Sequence, residues 1–320
     1  MPTGLATNQN PPKDMSFADR FVLSSDQFTP SSPGQTFGDY RLVIDFAGGP
    51  YGFDGLSATQ VDRIRTRFQD LCHDDASQQA EVNTLLYRAP NRSFPDFDLN
   101  GWEYTLNFEY KNTSVGIAGL KFFAYFDLCR NNQSYLWTST EDDEYFTGVF
   151  ENYFRVVVAY RLLACGGVLL HSAGVIDKGS AYLFFGPSNA GKTTVSRLSQ
   201  SSGRSVLSDD INALLAGPAQ GVVAEKMPFA GELGQTATPS GAYPVRGLFR
   251  LHQGPHNAVR DMRPSESIAA LVACAPYVNA DPARQDRLFE NLEHLSAIAP
   301  VRHLTFSLDQ PFWPMFASED

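Results

Sequence analysis

Two different spacings of hydrophobic residues divide the chain into two regions. In the first region a helix is predicted to begin at Ser57, because Gln60 completes a capping box and apolar residues follow at helical spacing. Residues 102–110 instead alternate strictly between large apolar and polar side chains, which is typical of a half-buried strand in an antiparallel sheet. Further strands are predicted at residues 40–46, 120–128 and 135–138. We therefore expect an α+β domain over residues 39–147.

The second region has the element order of an α/β domain. Its predicted elements are a helix at 148–165, strands at 168–176 and 180–185, a helix at 191–200, strands at 205–208 and 245–251, a helix at 264–274, a helix starting at Asp281-Pro282, and a strand at 301–307. Strands alternating with helices in this way form a sheet covered by helices. We place this domain at residues 148–320. Residues 1–38, which are rich in Pro, Ser and Gln, are expected to be a poorly ordered leader.

Composition and charge narrow the class of protein. The chain has 320 residues, of which 43% are hydrophobic and 19% are charged, so it can fill a core and is not predicted to be disordered. The formal net charge of −10 argues against a nucleic-acid-binding protein, because binding to the phosphate backbone needs a basic surface. A single phosphate pocket is still allowed, since backbone amides and one lysine can supply it.

Targeting signals and cysteines indicate the compartment. The first twenty residues contain no apolar core of a signal peptide, and the most apolar stretch, residues 156–176, is interrupted by Arg161 and His171. The cysteines are far apart and form no CxxC pair: Cys72, Cys129, Cys165 and Cys274. This spacing favours isolated core thiols over a disulfide framework or a zinc site. We therefore expect a soluble cytoplasmic protein that does not bind membranes.

One short segment matches a phosphate-binding motif. Gly186-Pro-Ser-Asn-Ala-Gly191-Lys192-Thr193 fits the P-loop pattern G-x-x-x-x-G-K-[ST], with an apolar strand before it and a helix after it. Lys192 can neutralise phosphate charge and the Thr193 hydroxyl can hold Mg²⁺, whereas the alternative is an ordinary glycine-rich turn. We expect the Lys192 side chain to face solvent when no nucleotide is bound. The full phosphate-binding set is Gly186, Pro187, Ser188, Asn189, Ala190, Gly191, Lys192, Thr193 and Thr194.

Three more side chains are predicted to reach the edge of the sheet where this loop lies. Asp209 and Asp210 follow directly after the strand at 205–208. If that strand is parallel to the one before the loop, both aspartates lie at the edge where ligands bind. They can then hold a metal, and one of them can accept a proton from an attacking hydroxyl. The alternative is a solvated pair that caps the next segment. A hairpin folding about Lys178-Gly179 pairs residues whose numbers sum to about 357, which places His171 opposite Gly186. The alternative for His171 is a buried structural histidine.

Residues 169–212, which contain His171, the P-loop motif and the aspartate pair, resemble the core of the HPr kinase/phosphorylase family. That family shares its P-loop architecture with phosphoenolpyruvate carboxykinase. Members of that family carry a histidine 21 residues before the P-loop lysine and an aspartate pair that ends 18 residues after it. His171 and Asp210 stand at these distances from Lys192. Residues 148–316 are also similar to shorter HPr-kinase-like proteins, some of them encoded beside ribosomally made, modified peptides.

The resemblance implies a fold, an activity and a set of roles. The fold is a P-loop carboxykinase-like domain, and the activity is an ATP- and Mg²⁺-dependent kinase. Asp210 would accept the proton, His171 would be a catalytic-site residue and Lys192 would bind the phosphates. The candidate magnesium ligands are Thr193, Asp209 and, as the best match to the family's downstream glutamate, Glu232.

The expected acceptor is a Ser or Thr hydroxyl of a peptide or protein, including ribosomally made, modified peptides. HPr itself is not expected, because the region around Arg246-Gly247-Leu248 lacks the acidic residue and later glycines of the family signature. Two alternatives stay open: a small-molecule phosphotransferase, and an ATP-binding sensor that transfers no phosphate. The aspartate pair and His171 argue against a sensor, because nucleotide binding needs only the P-loop. Homo-oligomerisation is also left open.

Overall fold

The computed structural model describes residues 28, 34–73, 78–94, 106–129, 133–229 and 231–319. In this part of the chain the fold is mixed α/β, with five α-helices and two mixed sheets. The helices are α1 Ala58–Phe68, α2 Phe146–Ala164, α3 Lys192–Ser201, α4 Pro264–Ala273 and α5 Gln285–Ile298. The strands are β1 Gln35–Thr36, β2 Tyr40–Ile44, β3 Tyr51–Leu56, β4 Cys72–His73, β5 Val82–Arg88, β6 Asn107–Tyr110, β7 Ser114–Gly119, β8 Phe122–Asp127, β9 Gln133–Thr138, β10 Val168–Asp177, β11 Ser180–Phe185, β12 Ser205–Ser208, β13 Ile211–Ala216, β14 Val222–Lys226, β15 Ala242–Gln253, β16 Ala258–Asp261 and β17 Val301–Phe306.

The chain divides into two compact units. The first takes in residues 1–43, 51–69 and 74–153, and the second takes in residues 44–50, 70–73 and 154–320. The division at Tyr153 and Phe154 falls inside α2, six residues after the boundary between residues 147 and 148 that the sequence predicts.

In the first unit, strands β3, β5 and β9 run parallel, and β9, β8, β7 and β6 continue as an antiparallel meander. Helix α1 begins as predicted: the Ser57 hydroxyl accepts the Gln60 N–H, and the Gln60 side chain accepts the Ser57 N–H. This capping box satisfies two backbone donors that the first turn would otherwise leave unpaired. The helix then buries Val61, Ile64 and Phe68.

In the second unit, β10 is the strand around which the candidate site is built. It pairs antiparallel with β11 on one side, and with β12 and then β13 on the other. Because β11 and β12 are both antiparallel to β10, they run parallel to each other and end at the same edge of the sheet, as expected. Strands β11, β15 and β17 are parallel neighbours, and β14 links β13 back to β15, so the pairings β11-β10-β13-β14-β15 close into a ring.

An apolar core lies under α3 on one face of this sheet. Its buried members include Val175, Phe184, Val195, Phe249, Leu251, Leu304, Phe306 and Trp313. Burial of each such side chain contributes about 1.5–3 kcal/mol, so this face fixes the position of α3 on the strands. Because strand residues alternate between faces, Arg250, between Phe249 and Leu251 on β15, points to the opposite face. Its register partner His303, next to Leu304 on β17, points the same way.

The hairpin register predicted from the sequence is confirmed. Ser172 pairs with Phe185 and Asp177 pairs with Ser180. The helix predicted to start at Asp281 is wrong in its start, because α5 begins at Gln285. The fully buried Asp281 carboxylate accepts the Ala283 N–H and the Tyr160 hydroxyl, both at 2.9 Å, so it closes a turn before the helix and anchors α2.

Three other predictions need a correction or fall outside the described residues. None of the four cysteines is in a disulfide, but only Cys274 is buried, so the prediction that they are core thiols is wrong for Cys72, Cys129 and Cys165. Most of the predicted leader, residues 1–27 and 29–33, lies outside the described residues, and β1 lies near its end. Residues 102–105 of the predicted alternating strand also lie outside them, whereas residues 107–110 form β6.

Candidate functional site

The loop between β11 and α3 is held in shape by residues with unusual backbone angles. Asn189 and Gly191 have φ values of 64° and 106°, in the region that favours glycine. A Cβ atom on Gly191 would lie 2.6 Å from Cζ of Phe306, so the close approach of the loop to β17 also requires glycine there. The first backbone N–H groups of α3 therefore open directly from a tight turn at the carboxyl end of β11, where they can bind an anion.

The Lys192 side chain is folded into this loop. Its Nζ atom donates to the carbonyl oxygens of Gly186 and Pro187, both at 3.2 Å, and the residue is only 8% exposed. Burial lowers the pKa of the ammonium group, while Cys274 and Asp210 raise it. The expectation of a solvent-facing lysine is therefore wrong, because the loop carbonyls provide the hydrogen bonds that water would otherwise supply.

Asp209 and Asp210 occupy an irregularity in the strand partner of β10. Strand β12 ends at Ser208 and β13 starts at Ile211, and both segments pair with β10 in the same direction. The two aspartates thus form a bulge in an otherwise continuous edge, which is a common way to turn side chains towards a site. The Ser172 N–H donates to the Asp210 carbonyl at 2.9 Å, which ties the bulge to β10.

The Asp209 carboxylate is buried and only half satisfied. It is 3% exposed; Oδ2 accepts the Leu233 N–H at 3.3 Å, and Oδ1 has no hydrogen-bond partner among the described residues. Burial raises the pKa of this carboxyl group, the backbone N–H groups of Leu233 and of Asp209 itself lower it, and the neighbouring charges of Asp210 and Glu232 raise it further. A buried carboxylate oxygen without a partner is energetically costly, and a cation would relieve that cost.

His171 and Asp210 face each other across the strand pair. The His171 Nε2 atom lies 3.4 Å from Asp210 Oδ1, and an Arg155 guanidinium nitrogen lies 3.8 Å from Asp210 Oδ2. Burial and the nearby charge of Lys192 lower the pKa of His171, whereas Asp210 raises it. His171 is therefore a neutral imidazole near pH 7, next to a carboxylate that is itself paired with an arginine.

These groups line one cleft of about 350 Å³. The structure brings together His171, Lys192, Asp209 and Asp210 with the exposed or half-exposed residues Ser188, Asn189, Gly191, Thr193, Thr194 and Glu232. Of the remaining predicted positions, Gly186 and Pro187 contribute the carbonyls that hold Lys192, and the half-buried Ala190 packs against the apolar core. Glu232 lies at the rim, 70% exposed, with one oxygen 3.6 Å from a guanidinium nitrogen of Arg197.

The donor set of the cleft suits a magnesium ion that is shared with a ligand. Among the described residues no three His, Cys, Asp or Glu side chains are placed to hold a metal ion together. Mg²⁺ commonly takes only one or two protein carboxylates and completes its shell with water and phosphate oxygens. The unpartnered Asp209 Oδ1 supplies one such carboxylate oxygen, and the Thr193 hydroxyl on the first turn of α3 lines the same cleft.

Sequence reasoning missed three residues around the cleft. Arg155 is a charge inside the apolar run of α2, and that interruption was the available signal. Tyr277 has φ 68°, and its hydroxyl hydrogen-bonds Arg155, a contact that no local pattern predicts. The buried Cys274 sulfur receives the Gly186 N–H, and its carbonyl receives the His171 N–H at 2.8 Å. The loop after α4 therefore supports both His171 and the start of the glycine loop.

Comparison with known proteins gives a family for the chain. None of the helices in the described residues has the length and apolar character needed to cross a bilayer. Among curated proteins, none matches the chain. Residues 138–317, more than half of the chain and all of the cleft residues, match the family of the SynChlorMet cassette protein ScmC. The chain therefore belongs to the ScmC family of SynChlorMet cassette proteins.

Proposed function

We propose that this protein is an ATP- and Mg²⁺-dependent kinase with a P-loop carboxykinase-like domain, and that it phosphorylates a Ser or Thr hydroxyl of a peptide or protein other than HPr. The observation that carries the proposal is the pairing of His171 and Asp210, 3.4 Å apart, in the cleft that also contains Lys192 and the start of α3. Phosphate-binding groups and a proton acceptor in one cleft are the parts that phosphoryl transfer to a hydroxyl needs.

Phosphate binding rests on the loop and the helix that follows it. The N–H groups at the start of α3 point out of the loop, and the positive end of the helix dipole favours an anion at that position. Lys192 is tethered to the Gly186 and Pro187 carbonyls, and when a nucleotide binds it would exchange these contacts for phosphate oxygens. The exchange is favoured because a charged hydrogen bond to phosphate is stronger than one to a neutral carbonyl.

Metal binding is assigned to Asp209 and Thr193. The buried Asp209 Oδ1 atom and the Thr193 hydroxyl would hold Mg²⁺ together with phosphate oxygens, and the bound ion would neutralise charge that develops during transfer. Glu232 sits at the exposed rim and is paired with Arg197, so in this proposal it screens the entrance or reaches the ion through water.

Proton transfer is assigned to Asp210. In the reaction the acceptor oxygen forms a bond to the γ-phosphorus, the bond from that phosphorus to the bridging oxygen breaks, and the hydroxyl proton passes to the Asp210 carboxylate. His171 stays neutral because its pKa is lowered, so it can accept or donate a hydrogen bond beside Asp210 without adding charge. Arg155, 3.8 Å from the other carboxylate oxygen, holds Asp210 in its orientation.

The test is direct measurement of γ-phosphate transfer. The purified chain is incubated with γ-labelled ATP and Mg²⁺, using as acceptors the peptides encoded beside its gene. Lys192→Met keeps an apolar side chain in the loop and removes the ammonium group with its two hydrogen bonds to the loop carbonyls. Lys178→Met removes an exposed ammonium group in the β10–β11 turn as the control. We expect transfer by the wild type and by Lys178→Met, and at least a hundredfold less by a folded Lys192→Met protein.

Two other results would contradict this proposal in whole or in part. Full transfer by Lys192→Met would show that the cleft does not carry the reaction. Tight ATP binding by the wild type without transfer to any peptide, protein or small hydroxyl compound would favour the sensor alternative and overturn the kinase proposal.

A further inference from the structure

A row of basic side chains crosses the second sheet on the face opposite the α3 core. Arg250 on β15 pairs in register with His303 on β17, and His303 pairs with Arg260 on β16. Side chains at paired positions of neighbouring strands lie on the same face and within reach of each other. We call Arg250, His303 and Arg260 the basic row; His252, whose Nε2 atom is 2.9 Å from Nδ1 of His303, extends it along β15.

One carboxylate, that of Glu266, pairs with side chains of the basic row. Glu266, in the first turn of α4, has Oε1 3.1 Å from His303 Nε2 and 3.9 Å from an Arg250 guanidinium nitrogen, and Oε2 3.8 Å from Arg263. One negative charge is thus shared by two arginines and a histidine, while Arg260 adds another positive charge on the neighbouring strand. The positive end of the α4 dipole lies at the same place. The patch therefore carries surplus positive charge.

The surplus positive charge is exposed to solvent, where a partner can reach it, and it contrasts with the net negative charge of the chain. Arg260 is exposed, the Arg263 side chain is 85% exposed, and Arg250 keeps 34% of its side chain in solvent. Partial burial and the neighbouring His303 and Arg250 lower the pKa of His252, so the arginines carry the surplus charge near pH 7. The chain as a whole has a formal net charge of −10. A local positive patch on an acidic protein attracts a complementary negative segment and repels other basic surfaces.

The basic row lies one strand away from the glycine loop. Arg250 is in register with Phe185, the last residue of β11 before the loop, and neighbouring strands are about 4.8 Å apart. Three residues after Arg250, Gln253 donates from its side chain to the Asn189 carbonyl at 3.0 Å and lines the cleft. Gln253 pairs in register with the core residue Phe306 and so lies on the α3 face, whereas Arg250 lies on the other face. A polypeptide bound on the row would therefore reach the cleft by crossing the carboxyl end of β15.

We infer that the basic row is a docking site for an acidic segment of the acceptor polypeptide, next to the hydroxyl that enters the cleft; this inference rests on the proposed kinase function. Carboxylates on the segment would pair with Arg260 and Arg263 at the surface and with Arg250 nearer the loop. A short peptide is favoured over a nucleic acid because the row spans only three strands, and a longer phosphate backbone would extend beyond it onto a chain with a formal net charge of −10.

The test measures peptide binding without requiring transfer. Two fluorescein-labelled synthetic peptides share a central serine and differ only in having glutamates or glutamines around it, and their anisotropy is followed as protein is added. We expect the glutamate peptide to bind more tightly, and its affinity to fall as salt is raised. The double variant Arg260→Gln/Arg263→Gln changes two exposed side chains and should weaken binding of the glutamate peptide by about three- to tenfold.

The controls separate docking from general charge and from catalysis. Arg246→Gln, which removes one arginine at an exposed position near the other end of β15 and so matches Arg250→Gln, should leave binding unchanged. Arg250→Gln should weaken glutamate-peptide binding as well. Equal binding of the two peptides, no effect of the double variant, or tighter binding of a single-stranded oligonucleotide than of the glutamate peptide would overturn the assignment. Because binding is read without ATP, selective binding with no phosphate transfer would contradict the kinase function and not the docking site.

Discussion

The Nε2 atom of His171 lies 3.4 Å from Oδ1 of Asp210. The backbone holds this pair in place, because the Ser172 N–H donates to the Asp210 carbonyl at 2.9 Å and His171 is in register with Ile211. A substitution of either side chain therefore leaves the other close to its position. Each can be varied separately to learn what it does.

Asp210→Asn tests proton acceptance. The amide keeps the size and polarity of the side chain and cannot take a proton, so we expect transfer to fall by about 10² to 10⁴. Nucleotide binding should persist because the loop amides and Lys192 are unchanged. Nucleotide binding and phosphate transfer are measured in parallel, and only transfer should fall in this variant. Equal transfer rates in the wild type and Asp210→Asn would rule out Asp210 as the base even in a protein that is a kinase.

His171 makes stability depend on pH. Burial and Lys192 lower its pKa in the folded protein, so below the ordinary histidine pKa of about 6.5 the unfolded chain binds more protons than the native one. This contribution to stability is complete above about pH 6.5 and is lost as pH falls towards and through the lowered native pKa.

Urea unfolding of the wild type and His171→Gln checks this dependence. Between about pH 7.5 and pH 5 the free energy of unfolding should fall less in His171→Gln than in the wild type, because the group that takes up the proton is gone. His294→Gln, at an exposed position on α5, serves as the control and should follow the wild type. Parallel pH profiles for wild type and His171→Gln would contradict the assignment of His171 as a neutral imidazole with a lowered pKa.

Local patterns were enough to predict the hairpin and its register, in which Ser172 faces Phe185 and His171 stands next to the start of the glycine loop. A tight turn of known position fixes the register of both strands, and register fixes which residues face each other. The capping box at Ser57 was also readable, because its two hydrogen bonds join residues three apart.

Long-range contacts account for the features that the sequence did not reveal. The Asp281 carboxylate is taken by the Tyr160 hydroxyl, 121 residues away, and this contact moves the start of α5. Arg155 and Tyr277 join the site from α2 and from the loop after α4. Lys192 is buried because of the fold of its own loop, which the motif does not specify in the absence of a ligand.

Asp209→Asn tests two effects of the buried Asp209 charge: whether it destabilises the fold, and whether it binds Mg²⁺. Burial raises the Asp209 pKa, so the native carboxyl binds protons more readily than the unfolded one, and the charged form lowers stability above its native pKa. Removing the charge should leave the midpoint of thermal unfolding unchanged or higher at pH 7.5. Mg²⁺-dependent nucleotide affinity should fall at least about tenfold, because a carboxylate ligand is lost.

The control for this prediction is Asp177→Asn, which changes a carboxylate at the far end of β10 that is paired with Arg204 at 2.9 Å. It should lose a small amount of stability and no Mg²⁺-dependent affinity. A clear loss of stability in Asp209→Asn together with unchanged Mg²⁺ dependence would show that Asp209 is structural and not a metal ligand.

Gly231→Ala tests how tightly the segment after β14 seals the aspartate pair. A Cβ atom at Gly231 would lie 2.8 Å from Cβ of Asp210 and still closer to the Asp209 carboxylate, so the bulge or the segment must shift. The segment is held there by the Leu233 N–H, which donates to Asp209 Oδ2 at 3.3 Å. Overpacking of this kind costs about 1–3 kcal/mol. We therefore expect a lower free energy of unfolding in urea and at least about tenfold slower phosphate transfer, since both carboxylates move.

The control is Gly148→Ala, in α2, where nothing lies within 4 Å of the new methyl group. It should be neutral or stabilising by up to about 1 kcal/mol, with unchanged transfer. If Gly231→Ala behaves like Gly148→Ala in both measurements, the segment does not hold the carboxylates in place, and the orientation of Asp209 must come from the bulge alone.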